Sequence, residues 1–347
     1  MVKDLMRAAV YYRNDDVRLE ERPVPRTGPG ELLMRIEASG ICGSDVMEWY
    51  RKDKVPLVLG HEVAGTVVEA GKGVDRWKVG DRIAVAHHVP CNTCHYCLGG
   101  NHTACDTLRR TNFDPGGFAE FVRLPAINVD RGVFAIPDGV SFEEATFAEP
   151  LACVLRGQRR AGIKAGNSVL VIGSGIAGLL HIHLARALGS GLIVATDVSD
   201  YRLGMAQRFG ADAAIHADEN VPARVRELNQ GRLADIVIAC TGALSAISQA
   251  LKSVERGGSV VLFAPTGPGV TIPLSVNDFF WRNDVTLTTS YAGSPADYAT
   301  ALGLIGSHRL NVSEMITHRL PLAEVAAGFK LVAEAGESAK VIIEPQK

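Results

Sequence analysis

At Val169-Leu170-Val171-Ile172 four aliphatic residues run without a break into Gly173-Ser174-Gly175-Ile176-Ala177-Gly178. An apolar run entering a G-x-G-x-x-G turn constrains the fold more than any other feature of the chain. The run reads as a strand covered on both faces, and the turn as its passage into a helix. The first glycine allows the tight turn, the second lets a pyrophosphate approach the backbone, and the third lets the helix pack on the strand. The helix that follows, over about 176–188, would aim its free N–H groups at that pyrophosphate. Runs at 193–197, 213–215, 236–239, 260–263 and 285–288 repeat the apolar texture, separated by helical segments. Alternation of this kind predicts an α/β, doubly wound parallel sheet of the Rossmann type.

The second of these strands ends at Asp197, nineteen residues after Gly178. A carboxylate there accepts hydrogen bonds from ribose hydroxyls and repels a 2′-phosphate. The expected cofactor is therefore NAD rather than NADP, held by Gly173, Gly175, Ile176, Gly178 and Asp197. Nearby Arg202, the sixth residue of this set, keeps the 2′-phosphate open as an alternative.

Residues 1–150 have a different texture, with short β-runs such as 32–36, 64–69 and 79–85 broken by Gly and Pro. The chain of 347 residues is long for a single core. It is read as a β-rich catalytic domain at 1–150, a nucleotide domain at 151–290, and a return at 291–347 whose last strand, near 340–343, packs back on the first domain. The nucleotide domain would then be an insertion.

Within the β-rich part, Cys91, Cys94, Cys97 and Cys105 follow C-x2-C-x2-C-x7-C. Four thiolates in so short a loop suit a closed, structural zinc, and a polar lobe with little core of its own would owe much of its order to the metal. Cys42 and His61, with Glu62 or Glu149 as the acid, offer a mixed set that leaves a coordination position open, as catalytic zinc requires. Asp45 is placed to accept the other ring N–H of His61 and fix its tautomer.

The formal net charge of -2, with 21% charged residues, favours no polyanionic partner, so nucleic acid is not expected. No apolar segment approaches the length of a membrane span, and the first residues lack an apolar signal core; the expected location is the cytoplasm. Seven cysteines in that compartment argue for metal ligation over disulfides.

Gly40-Ile41-Cys42-Gly43-Ser44-Asp45, Gly60-His61-Glu62, Gly65, Gly71, Val74, the cysteine lobe and the glycine turn together resemble the zinc-dependent medium-chain alcohol dehydrogenases over nearly the whole chain. The Glu149-Pro150 step is similar to the polyol and threonine dehydrogenase branch. The resemblance implies a Rossmann domain inserted into a GroES-like catalytic domain, two zinc ions per chain, and hydride transfer between NAD(H) and a secondary alcohol or ketone. It makes Cys42 and His61 ligands of the catalytic zinc, with Glu62 or Glu149 completing the set directly or through water. Ser44 would carry the proton, and a homodimer or homotetramer would form through a strand like that at 285–290.

Two departures qualify it. Met47 stands where many relatives carry a relay histidine, and Ser290-Tyr291-Ala292-Gly293 where polyol dehydrogenases place an arginine. His181 and His183 read as packing or surface residues, Cys153 and Cys240 as buried thiols, and Arg109-Arg110 as a solvated pair. His87 and His88 lead into the lobe, where one could face the substrate. Two other classes compete: a metal-free quinone or enoyl reductase of the same fold, and a zinc-ribbon nucleic-acid module.

Overall fold

The computed structural model describes residues 4–347. The chain divides into two compact units, Met1–Ala152 with Ala292–Lys347, and Cys153–Tyr291. The helix Ala148–Ala161 carries the chain from the first into the second.

The second unit is built on six parallel strands in the order Ala213–His216, Ile193–Asp197, Val169–Ile172, Ala234–Ala239, Val254–Leu262 and Thr286–Thr289. The strand that enters the glycine turn is central, and the chain leaves it in one direction and later returns on its other side. Leu170, Val194, Val237 and Val260 are all buried in one cluster, which is why these strands carry no polar alternation. The doubly wound sheet expected from the apolar runs is present, with small changes at the ends. The first helix covers Ile176–Ala187 and the edge strand begins at Thr286.

The first unit carries a three-stranded and a seven-stranded sheet. In the larger one Leu32–Gly40 pairs antiparallel with Glu62–Ala70, with Phe121–Leu124, and with the late strand Lys340–Glu344. The insertion of one unit into the other is thus visible in hydrogen bonds that join residues near 40 to residues near 342. The run read as 79–85 shortens to Arg82–Val85, because Asp81 turns back to accept the Lys78 N–H. Among the described residues no helix is long and apolar enough to cross a membrane.

Candidate active site and metal centres

The pairing of Leu32–Gly40 with Glu62–Ala70 places Gly40 opposite Glu62. Just beyond that pair the two segments run on to Ile41-Cys42 and to His61, which brings Cys42 and His61 to the same end of the ladder. Gly60 makes the approach possible. Its φ is +91°, and a Cβ there would lie 2.9 Å from the Phe118 backbone nitrogen. Ligand atoms of Cys42, His61 and Glu62 lie within 4.8 Å of one another. Glu149 is buried in the first turn of its helix and is not one of the three.

Asp45 organises this group from a short 3-10 turn, Gly43–Val46. Its carboxylate is fully buried; Oδ2 accepts the Cys42 N–H at 3.0 Å, while Oδ1 lies 3.4 Å from His61 Nδ1 and 3.6 Å from an Arg51 nitrogen. Those two distances are long for hydrogen bonds, so charge holds Oδ1 more than directed bonding does. Burial works to raise the Asp45 pKa, but His61, Arg51 and the Cys42 N–H outweigh it and keep the carboxyl below its usual range. His61 shows the converse. Burial opposes a charged ring, yet Asp45 and Cys42 raise its pKa well above the ordinary value. Surroundings that retain a proton so firmly also attract a cation, and with Nδ1 turned to Asp45 the other ring nitrogen is left to bind it.

Ser44 Oγ donates to Cys42 Sγ at 3.4 Å. Arg51 in turn donates to the Ser44 carbonyl at 3.2 Å and to its hydroxyl at 3.4 Å. Beyond His61 stand two more imidazoles, the His87 ring 4.9 Å from His61 and 3.9 Å from His88. Burial pushes His88 down to about 4; the Thr111 carbonyl, which accepts from its Nδ1 at 2.7 Å, pulls the other way, while His61, Lys54 and Arg51 add like charge. His87 is held well below the usual value by burial and then by His88, His61 and Arg51, and its buried Nδ1 has no partner among the described residues.

Sequence reasoning missed Lys340. This lysine opens the apolar strand Lys340–Glu344, is fully buried, and forms an ion pair with the equally buried Glu62. Its ammonium also donates to the Ile41 carbonyl at 3.3 Å. A Cβ on Gly40 would overlap both members of the pair, so glycine is required there. A charged residue at the head of Val341-Ile342-Ile343 was the available signal.

In the lobe the four sulfurs converge, with Cys91–Cys97 at 3.9 Å and Cys94–Cys97 and Cys91–Cys105 at 3.6 Å. A tetrahedron with zinc–sulfur bonds of about 2.3 Å has edges of about 3.8 Å, so the four fit one zinc ion. Hydrogen bonds from Thr93 hold Cys91 down to about 5, whereas burial and then the Cys94 and Cys105 thiols push Cys97 up to about 12. Four thiols this close do not all ionise unless a cation neutralises them.

In the second unit Gly173 has φ +90°, and a Cβ on Gly178 would lie 2.0 Å from the Gly173 carbonyl oxygen. Gly175 caps the helix that begins at Ile176. Asp197 accepts three backbone N–H groups, from Ser174 at 2.7 Å, Val198 at 2.8 Å and Ser199 at 3.1 Å. The Arg202 guanidinium reaches to 3.9 Å from where a Gly175 side chain would begin, and its buried Nε has no partner among the described residues. The glycine turn, Asp197 and Arg202 are therefore gathered at one end of the sheet.

Of the residues set aside, His181 is fully buried edge-on to Phe263, with ring centroids 4.6 Å apart, and is a packing residue. Cys153 and Cys240 are only partly buried, and Arg109 and Arg110 are exposed.

Residues 28–138 match the alcohol dehydrogenase GroES-like domain, and 177–307 the zinc-binding dehydrogenase domain. The sorbitol dehydrogenase of Gallus gallus is 34% identical over 348 residues, covering 97% of this chain and 96% of its own. The chain belongs to the zinc-dependent alcohol dehydrogenases. This dehydrogenase is also similar in structure to alcohol dehydrogenase TADH from Thermus sp. ATN1, with 31% identity, a TM-score of 0.86, and 98% and 99% of the two chains covered. A zinc-binding dehydrogenase from Sinorhizobium meliloti 1021, bound to NADP, superposes with a TM-score of 0.88 at 28% identity, covering 99% of this chain and 100% of that one. The family expected from the motifs is confirmed, and with it a zinc enzyme linked to NAD(P).

Proposed function

We propose that this dehydrogenase interconverts a secondary alcohol and a ketone of the polyol, diol or hydroxy amino acid type, using NAD and a catalytic zinc held by Cys42, His61 and Glu62. The observation that carries the proposal is the convergence of those three ligand atoms within 4.8 Å, next to the Ser44 hydroxyl. Zinc when bound would polarise the carbinol oxygen, and NAD would accept the hydride. The chain's own residues do the rest. Asp45 orients His61 and balances its charge, and Lys340 fixes one carboxylate oxygen of Glu62. Ser44 is the hydroxyl through which the substrate proton leaves, since Met47 cannot carry one. Glu149 stands in reserve as the other acid named by the sequence.

The four-sulfur lobe supports a second, structural zinc and disfavours the metal-free reductase. NAD is favoured over NADP because Asp197 puts a carboxylate at the end of the second strand, with Arg202 close to the phosphate turn. Gly173, Gly175, Ile176 and Gly178 hold the pyrophosphate. Seven free cysteines suit the reducing cytoplasm, and the edge strand Thr286–Thr289 suits self-association into a dimer or tetramer.

The test is zinc content together with NAD- and NADP-linked turnover of a panel of polyols, diols, hydroxy amino acids and simple secondary alcohols. C42S and H61A should retain NAD affinity, lose one zinc per chain and lose turnover; full activity in either variant without that zinc refutes the assignment.

A further inference from the structure

Building on the functional reading above, we propose that the alcohol oxidised at this site carries an anionic group, a carboxylate or a phosphate, which Arg51 and Lys54 recognise. Both cations lie against one exposed ring. The Arg51 guanidinium is 4.7 Å and the Lys54 ammonium 4.6 Å from the centroid of Tyr50. Arg51 is also only one side chain removed from the metal-binding group, because it donates to Ser44 Oγ, which donates to Cys42 Sγ. Its bonds use Nε and one terminal nitrogen, so the second terminal nitrogen has no partner among the described residues. Lys54 pairs with no carboxylate among the described residues.

The neighbouring acids do not cancel this charge. Asp45 is fully buried and shared by the Cys42 N–H, His61 and Arg51. Glu62 is taken by Lys340, and Glu48 accepts the Asn14 N–H at 3.0 Å. Asp53 is exposed and is flanked by Lys52 and Lys54. A neutral polyol would leave the Lys54 ammonium and one terminal nitrogen of Arg51 without an anionic acceptor among the described residues. A substrate with an anion near its carbinol would give the fork of Arg51 a planar or tetrahedral acceptor, and Lys54 a point charge to meet.

The experiment compares kcat/KM of the zinc-loaded enzyme for D-sorbitol, D-gluconate and D-sorbitol 6-phosphate, with NAD and with NADP. One anionic alcohol should exceed sorbitol by about tenfold or more at low salt, and that preference should shrink as NaCl rises toward about 0.5 M. The better of the two identifies carboxylate or phosphate. In K54Q and in R51Q the anionic-to-neutral ratio should fall by about tenfold, and R51K should recover part of it. A merely structural role for Arg51 would lower all substrates alike and leave the ratio unmoved, and that result overturns the inference. Equal or better use of sorbitol, or a preference indifferent to salt and to K54Q, overturns it too while the functional reading stands. No turnover of these or any other secondary alcohol with either cofactor overturns both.

Discussion

Replacing Lys340 by Met should be the most damaging single change near the site that replaces no proposed ligand. The ammonium is fully buried, Glu62 is 1% exposed, and the Ile41 carbonyl also depends on this lysine. Met keeps much of the aliphatic volume but leaves a carboxylate in the interior with no counter-charge. Removing one partner of such a pair costs about 3–5 kcal/mol. At about 2–4 °C per kcal/mol for a unit of roughly 200 residues, the melting temperature should fall by about 6–20 °C. Neutralising the other partner should reverse most of the loss, because the penalty lies in the unpaired charge and not in the missing bond. Urea unfolding of wild type, K340M, E62Q and E62Q/K340M, with the Cys42–His61–Glu62 site stripped of metal so that no bound cation stands in for the lysine, measures this directly. The reasoning is refuted if K340M lies within about 1 kcal/mol of wild type, or if the double variant is no more stable than K340M alone.

Burial holds the His181 ring down to about 3 in the folded chain, against about 6.5 when unfolded, so the two states bind protons alike above pH 6.5. Below that the unfolded chain gains a proton the folded one refuses, and stability should fall by about 1.4 kcal/mol per pH unit until pH nears 3. Between pH 6.5 and 4.5 wild type should therefore lose about 2 kcal/mol more than H181L, and equal losses in parallel urea titrations would sink the assignment. Metal analysis of C97S should find one zinc fewer and a lower melting temperature from a lobe whose buried core is only Cys97, Cys105 and Leu108; unchanged zinc content counts against the cage. D197N should shift the NAD-to-NADP preference toward NADP by about tenfold or more. It should also destabilise the protein by about 1–3 kcal/mol, since Asn presents one acceptor oxygen to three backbone N–H groups. Cofactor kinetics that leave the preference unmoved would show that Asp197 does not read the ribose.

The nucleotide unit was legible because its signals are local. The run Val169-Leu170-Val171-Ile172, the glycine spacing and Asp197 all act within one strand–turn–helix or its neighbour. The four-cysteine lobe was legible for the same reason, its ligands falling within fifteen residues. The candidate metal-binding trio was only partly so. Cys42, His61 and Glu62 could be named, but the choice between Glu62 and Glu149 depends on the register that sets Gly40 against Glu62, and pairing register across two strands is not written in either strand alone. Lys340 and the stack of His61, His87 and His88 were hidden because each is a long-range meeting of segments with no shared periodicity. Nothing local marks Arg51 in the sequence, because its bonds to Ser44 depend on how the turn before it folds back.

Lys340 follows Glu62 by 278 residues. A ribosome adding about 5–20 residues per second would need on the order of 15–55 s to cover that interval. Throughout it the emerging N-terminal segment holds an acid whose permanent mate has not yet been made, and the whole inserted unit has time to form first. The buried pair can close only late in biosynthesis, once that one basic side chain has arrived.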